Sequence, residues 1–168
     1  EKTKNSFNEF VNPLVDLSNT KKIHGIDNSF VKKMPTWDAV GCKFNDWLES
    51  LRNHDTKTPI TLLAHNGKRY DARIWVFENN RHGINMPENI FHVDSLDVFK
   101  DMYRDCPNYK LGCVYETVFK KKIQNQHTAD GDVKALCALL SNLEIEEYEE
   151  YSESLSNIIN QKFLLIII

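Results

Sequence analysis

The chain has 168 residues, 41% of them apolar and 27% charged, with a formal charge of −3 at neutral pH. That length suits one domain with a buried core, and the composition is that of a globular protein. The slight acidity excludes a broad basic field that would hold long nucleic acid non-specifically, so any nucleic-acid contact is confined to a site. The four cysteines, Cys42, Cys106, Cys113 and Cys137, form no C-x-x-C pair. This argues against zinc and reads as buried free thiols in a reducing, cytoplasmic or nuclear, compartment. The opening residues do not read as a secretory signal.

In chain order, Ser6–Val11 alternates apolar and polar residues before Asn12-Pro13 and predicts a strand. Ile23-His24-Gly25-Ile26 predicts a tight turn in which the glycine takes unusual dihedrals. From Trp37 to Leu51, Trp37, Val40, Phe44, Trp47, Leu48 and Leu51 follow helical spacing behind Pro35. Ile60–Ala64 reads as a strand buried on both faces, as in parallel sheets, with a helix expected from Asp71 to about Glu78. Ile90–Val93 is a second buried strand, and Asp94 or Ser95 caps the helix after it. Leu111–Phe119 and Ala129–Leu143 are helical in pattern. This alternation favours an α/β sheet.

Residues 1–143 therefore form the expected domain, and 144–168 a segment that is first acidic and then apolar. The six glutamates of Glu144–Glu153 read as a solvated helix face, kept away from any phosphate-binding groove. The apolar run Phe163–Ile168 is far shorter than the ~20 residues that span a bilayer, so no membrane contact is expected. A packed strand, part of an anchor or a chain boundary all fit it.

Two stretches carry chemistry. In His127-Thr128-Ala129-Asp130-Gly131-Asp132 a histidine stands five residues before an aspartate at the mouth of a helix. In Ala64-His65-Asn66-Gly67-Lys68-Arg69-Tyr70-Asp71 another carboxylate follows a buried strand. Hard cations such as Mg²⁺ take carboxylate oxygens, and two such ions speed phosphodiester hydrolysis by activating water and neutralising charge. Asp71 and Asp132 suit the ligand role, and His127 suits a general base. Singly, each has an ordinary explanation: a carboxylate favours a helix N-terminus, and a loop histidine sits on the surface. Lys68-Arg69-Tyr70 offers phosphate contact and base stacking, or an ordinary exposed turn. Lys120-Lys121-Lys122 is a solvated run or a backbone contact. No cysteine stands in a nucleophile motif, which disfavours a cysteine hydrolase.

The segments AHNGKRYD, FHVDSLDVFK, YKLGCVYETVF and HTADGDVKAL occur in the order and rough spacing of the DEDDh 3′→5′ exonucleases. That group includes the proofreading subunit of bacterial DNA polymerase III, and the chain resembles the three-prime repair exonucleases of animals in particular. The resemblance covers roughly Phe7 to Leu143. It implies a ribonuclease H-like fold with a mixed sheet between helices. It also implies Asp71 and Asp132 as metal ligands for Mg²⁺, with Mn²⁺ a substitute, and His127 as the base. Asn66, Arg69, Tyr70 and Tyr109 fall at substrate positions, and Ile23 at one that separates the last bases. The implied substrate is a single-stranded or frayed DNA 3′ end, with RNA not distinguished by the motifs, and the implied assembly is a homodimer.

One part of the pattern is missing. The family's first motif, an Asp-x-Glu on the first strand, supplies two further ligands, and neither Glu1 nor Glu9 fits it. Two expectations compete. The sequence is a fragment whose first strand or strands lie upstream, or it is an inactive remnant that binds nucleic acid or a partner through the same fold. Loss of a central strand leaves unpaired ladder groups and an open core, which favours the fragment.

Overall fold

The computed structural model describes residues 6–52, 54–144 and 146–155. The expected strand over Ser6–Val11 does not form, and the segment joins no ladder. Its aromatic rings pack on helices instead. Phe7 lies 5.3 Å from Phe44 and 5.7 Å from Trp47 between ring centroids, and Phe10 meets Phe30 edge-on at 4.9 Å. An isolated strand gains little without a partner, whereas ring-on-ring packing removes apolar area from water even with Phe10 and Phe30 partly exposed.

Helix α1 (Lys21–His24) stops at Gly25, whose φ of 72° is the left-handed turn expected there. Asp27 caps α2 (Asn28–Val31) by accepting from the Ser29 N–H. Helix α3 (Trp37–Leu51) buries Val40, Asn45 and Leu48. Strand β1 (Ile60–Ala64) leads to α4 (Asp71–His82). This helix outruns the expected end at Glu78 because its left-handed cap is Gly83, with φ 65°. Then come β2 (Ile90–Asp94), α5 (Ser95–Met102), α6 (Leu111–Phe119) and α7 (Ala129–Leu140), which ends before the expected Leu143.

The acidic segment departs from the expected solvated helix. Only Glu146–Glu149 is helical (α8), and Glu153–Ser154 forms β3. Glu153 pairs with His92 in the ladder and its half-exposed carboxylate meets the Lys68 ammonium at 2.6 Å. The tail Phe163–Ile168 lies outside the described residues.

The sheet runs in the order β1-β2-β3. Strands β1 and β2 are parallel, in register from Ile60↔Ile90 to Ala64↔Asp94, and β3 is antiparallel to β2. Their parallel pairing sets both C-terminal ends side by side. Among the described residues β1 is an edge strand, and its residues are half-buried or exposed rather than enclosed. Two apolar clusters complete the core. Leu48, Ala72, Trp75, Val76 and Ile90 join α3 and α4 to the sheet. Val93, Val98, Phe99, Val114, Leu136 and Leu139 join it to α5, α6 and α7. Among the described residues no helix is long and apolar enough to cross a membrane.

The thiols divide two ways. Cys106 is buried and Cys113 half-buried, but Cys42 and Cys137 are exposed, contrary to the expectation of four buried thiols. Cys42 and Cys137 each follow a buried residue of an amphipathic helix (Gly41, Leu136) and so turn outward.

One buried cation closes the connection between α3 and β1. Arg52, 5% exposed, donates to the Glu49 carboxylate and, at 2.9 Å each, to the carbonyls of Thr58 and Glu88. It thereby ties α3 to the chain entering both β1 and β2. Arg52→Met strands a carboxylate and two carbonyls, and is expected to cost about 3 kcal/mol and lower Tm by roughly 10 °C. Thermal denaturation checks this; an unchanged Tm would mean that water replaces the guanidinium freely.

Candidate active site

The loop between β1 and α4 takes its shape from the strand beside it. Asp94, 3% exposed at the end of β2, accepts from the Asn66 N–H at 2.7 Å and the Lys68 N–H at 3.1 Å. It also caps α5 by accepting from the Leu96 N–H at 3.0 Å. One carboxylate thus fixes two loops. Asn66 takes φ 61°, and Gly67 lies so close to Ala64 and His92 that a Cβ there would stand 2.6 Å from each. Only glycine lets the backbone pass at this point.

His65 ties the loop to the next element. Its Nε2 donates to the Tyr109 carbonyl at 2.8 Å, because a carbonyl can only accept, and its Nδ1 bonds the Ser95 hydroxyl at 3.0 Å. Burial pushes its pKa below the ordinary histidine value and so favours the neutral ring, in which Nδ1 accepts from Ser95. His92, beneath Gly67, is buried with both ring nitrogens unpaired, and burial lowers its pKa too.

The second stretch forms the opposite wall. Asn125 and His127 take φ 56° and 69°. Thr128 caps α7 by accepting from the Gly131 N–H at 3.1 Å, and one Asp132 oxygen accepts from the His127 N–H at 3.3 Å. Gly131 admits the crossing backbone: a Cβ there would stand 2.3 Å from the Asn125 carbonyl oxygen.

Asn66, Tyr70, Tyr109, His127 and Asp132 line one cleft of about 500 Å³ with His65 and Leu96. Asp71 opens α4 beside it, and Asp71 and Asp132 both act electrostatically on His65. Desolvation by the surrounding protein raises the Asp71 pKa; because the residue also meets solvent, the energetic consequence is small. Arg69 and Tyr70 are exposed on the adjoining turn. A second cleft, of about 580 Å³ and mostly apolar, runs between residues 8–31 and the His127 loop, so His127 stands between the two. Ile23, 66% exposed, lines neither cleft, whereas its neighbours His24 and Ile26 line the second.

Two oxygen donors near a neutral imidazole suit part of a divalent-cation site. Among the described residues, however, no three His, Cys, Asp or Glu side chains converge to hold a metal. Sequence reasoning did not assign His65 or His92 a role and saw Asp94 only as a cap. The Asp-Ser-Leu pattern signals that cap, but nothing in it reveals the two further N–H groups reaching back from the β1–α4 loop.

A family profile described as Exonuclease matches residues 1–140. The chain belongs to the exonuclease family. Its mixed sheet and flanking helices are those of the ribonuclease H-like fold. Over 151 residues it is 28% identical to a DNA polymerase III of PolC type from Caldanaerobacter subterraneus, covering 89% of this chain and 10% of that protein. Over 90 residues it is 32% identical to human three-prime repair exonuclease 1, covering 48% of this chain and 29% of that protein. Over 148 residues it is 28% identical to the chloroplastic and mitochondrial exonuclease DPD1 of Arabidopsis thaliana, covering 84% and 46%. This exonuclease-family chain thus spans less than half the length of each of these relatives.

The two buried histidines predict a pH dependence of folding. Both are held below the unfolded value of about 6.5, so the unfolded chain binds more protons. The stability contributed by their neutral forms is complete above about pH 6.5 and is lost as pH falls through their folded-state values. Thermal denaturation from pH 8 to 5 should show a falling Tm below about 6.5 that His92→Gln flattens. An equally steep fall in that variant would assign the dependence to other groups.

Proposed function

We propose that this domain is the core of a metal-dependent 3′→5′ exonuclease that releases mononucleotides from single-stranded or frayed DNA ends. The observation that carries the reading is the convergence of Asp132, His127, Tyr70, Tyr109 and Asn66 on one cleft, with Asp71 beside it, at the C-terminal end of the parallel strands. Ligand sites in open α/β sheets gather there.

The exposed His127 ring accepts the proton of the water that attacks phosphorus. The P–O3′ bond breaks, and the shortened strand leaves with a 3′-hydroxyl. Asp71 and Asp132 would hold a divalent cation of the Mg²⁺ type, with Mn²⁺ a substitute. When bound, the cation neutralises phosphate charge and makes water a better nucleophile. Tyr70 and Tyr109 offer aromatic faces to the terminal bases, and Arg69 offers a guanidinium to phosphate. The resemblance also implies two further carboxylates and a homodimer.

A second reading has a specific observation behind it. Among the described residues no three His, Cys, Asp or Glu side chains converge, and this supports the alternative of a nucleic-acid-binding or interaction module without turnover. A nuclease assay on the protein extended upstream through the implied Asp-x-Glu strand, with 5′-labelled single-stranded DNA and Mg²⁺, separates the two, with an RNA of the same sequence alongside. The exonuclease reading predicts a ladder shortened from the 3′ end, slowed at least ~100-fold by His127→Ala and abolished by Asp132→Ala. Retention of the strand without cleavage would select the binding module. Undiminished digestion by the Asp132→Ala variant would overturn the site.

A further inference from the structure

Two of the four thiols, seven positions apart in the chain, meet at the foot of the substrate-side wall. Cys106 Sγ lies 3.8 Å from Cys113 Sγ, which is van der Waals contact between sulfurs. Cys106 precedes the loop that carries Tyr109, and Cys113 stands in the first turn of α6. Between them run Tyr109, Lys110, Leu111 and Gly112, all of which line the cleft with His127 and Asp132. The Cys106 thiol donates to the Asn108 carbonyl at 3.0 Å and touches the Thr117 hydroxyl at 3.4 Å. Cys106 is buried but lines a cavity of about 330 Å³ with Arg104 and Thr117, and Cys113 is only half-buried, so Cys113 is the thiol nearer solvent.

We propose that Cys106 and Cys113 are a modification site: a dithiol that a low-molecular-weight disulfide such as oxidised glutathione converts to one intramolecular disulfide, locking the Tyr109 wall. The Cys113 thiolate attacks one sulfur of the oxidant, whose S–S bond breaks and whose other half leaves as a thiolate and takes up a proton. The Cys106 thiolate then attacks Cys113 Sγ in the mixed disulfide and expels the second half as a thiol. Two protein thiols and one disulfide become one protein disulfide and two small thiols, and no other oxidant is needed. Bonding distance is near 2.05 Å, so the sulfurs close by less than 2 Å, within the reach of side-chain rotation. The bond closes a short ring around Tyr109, whose carbonyl His65 already holds on the far side.

The consequence for the cleft rests on the functional reading above; the disulfide itself does not. The test treats the chain with excess oxidised glutathione and reads chemistry and mobility without any nucleic acid. The expected result is a peptide joining Cys106 to Cys113, lighter by about 2 Da than the two reduced peptides and free of glutathione at both cysteines, whereas the exposed Cys42 and Cys137 take up glutathione adducts. The oxidised protein should also gain about 5 °C in Tm and show slower amide exchange across residues 107–112. Cys113→Ser, a near-isosteric change, should lose all of these while keeping its fold. Free thiols persisting at Cys106 and Cys113, or separate glutathione adducts on these two cysteines, would overturn the proposal, as would a disulfide with unaltered exchange across 107–112. None of these outcomes bears on the nuclease assay, so failure here and failure of the exonuclease reading are distinct.

Discussion

The Asp94 carboxylate accepts from the N–H groups of Asn66, Lys68 and Leu96, and the cleft's geometry follows from that arrangement. A buried carboxylate is costly unless its oxygens are paired, and removing any one N–H leaves it partly unsatisfied. The bonds therefore hold the β1–α4 loop against the start of α5. With that loop fixed, Gly67 must pass over His92, His65 must point at Ser95 and Tyr109, and Asp71 must open α4 at the cleft edge. Parallel pairing of β1 and β2 brings Asp94 opposite Ala64, which is what lets one side chain reach both loops.

The opposite wall obeys a different constraint. His127 adopts a left-handed backbone conformation that β-carbon-bearing residues seldom take, and Asn125 does so two residues earlier. Such positions cost about 1–3 kcal/mol each and persist where the surroundings enforce them, often at functional sites. Here the enforcing contacts are the Thr128 cap, the Asp132 oxygen on the His127 N–H and the passage of the chain over Gly131. The result presents an exposed imidazole between two clefts, next to a carboxylate bonded to that residue's own backbone.

Much of this was legible in the sequence where local and global preferences agree. The spacing of Trp37–Leu51, the apolar runs Ile60–Ala64 and Ile90–Val93 and the glycine at position 25 each gave the element that forms. The alternation of Ser6–Val11 misled because a period of two also arises when rings of an extended segment pack on helices, as Phe7 does on Phe44 and Trp47. The acidic stretch misled because charge density hides a single pairing, and Lys68 is far from Glu153 in sequence. His127, Asp132, Tyr70 and Tyr109 were found from motif order, whereas the roles of His65 and Asp94 depend on contacts 26 to 44 residues away that no local pattern encodes.

In the proposed function Asp71 and Asp132 hold one cation beside His127. Addition of Mn²⁺ to isotope-labelled protein, followed by amide NMR, tests it most directly, because paramagnetic broadening reports proximity without turnover. The expected result is selective loss of amide signals around Asp71 and from His127 to Asp132, reversed by excess Mg²⁺ and weakened in Asp132→Asn. Broadening confined to the glutamates of 144–153, or none at the two aspartates, would contradict it.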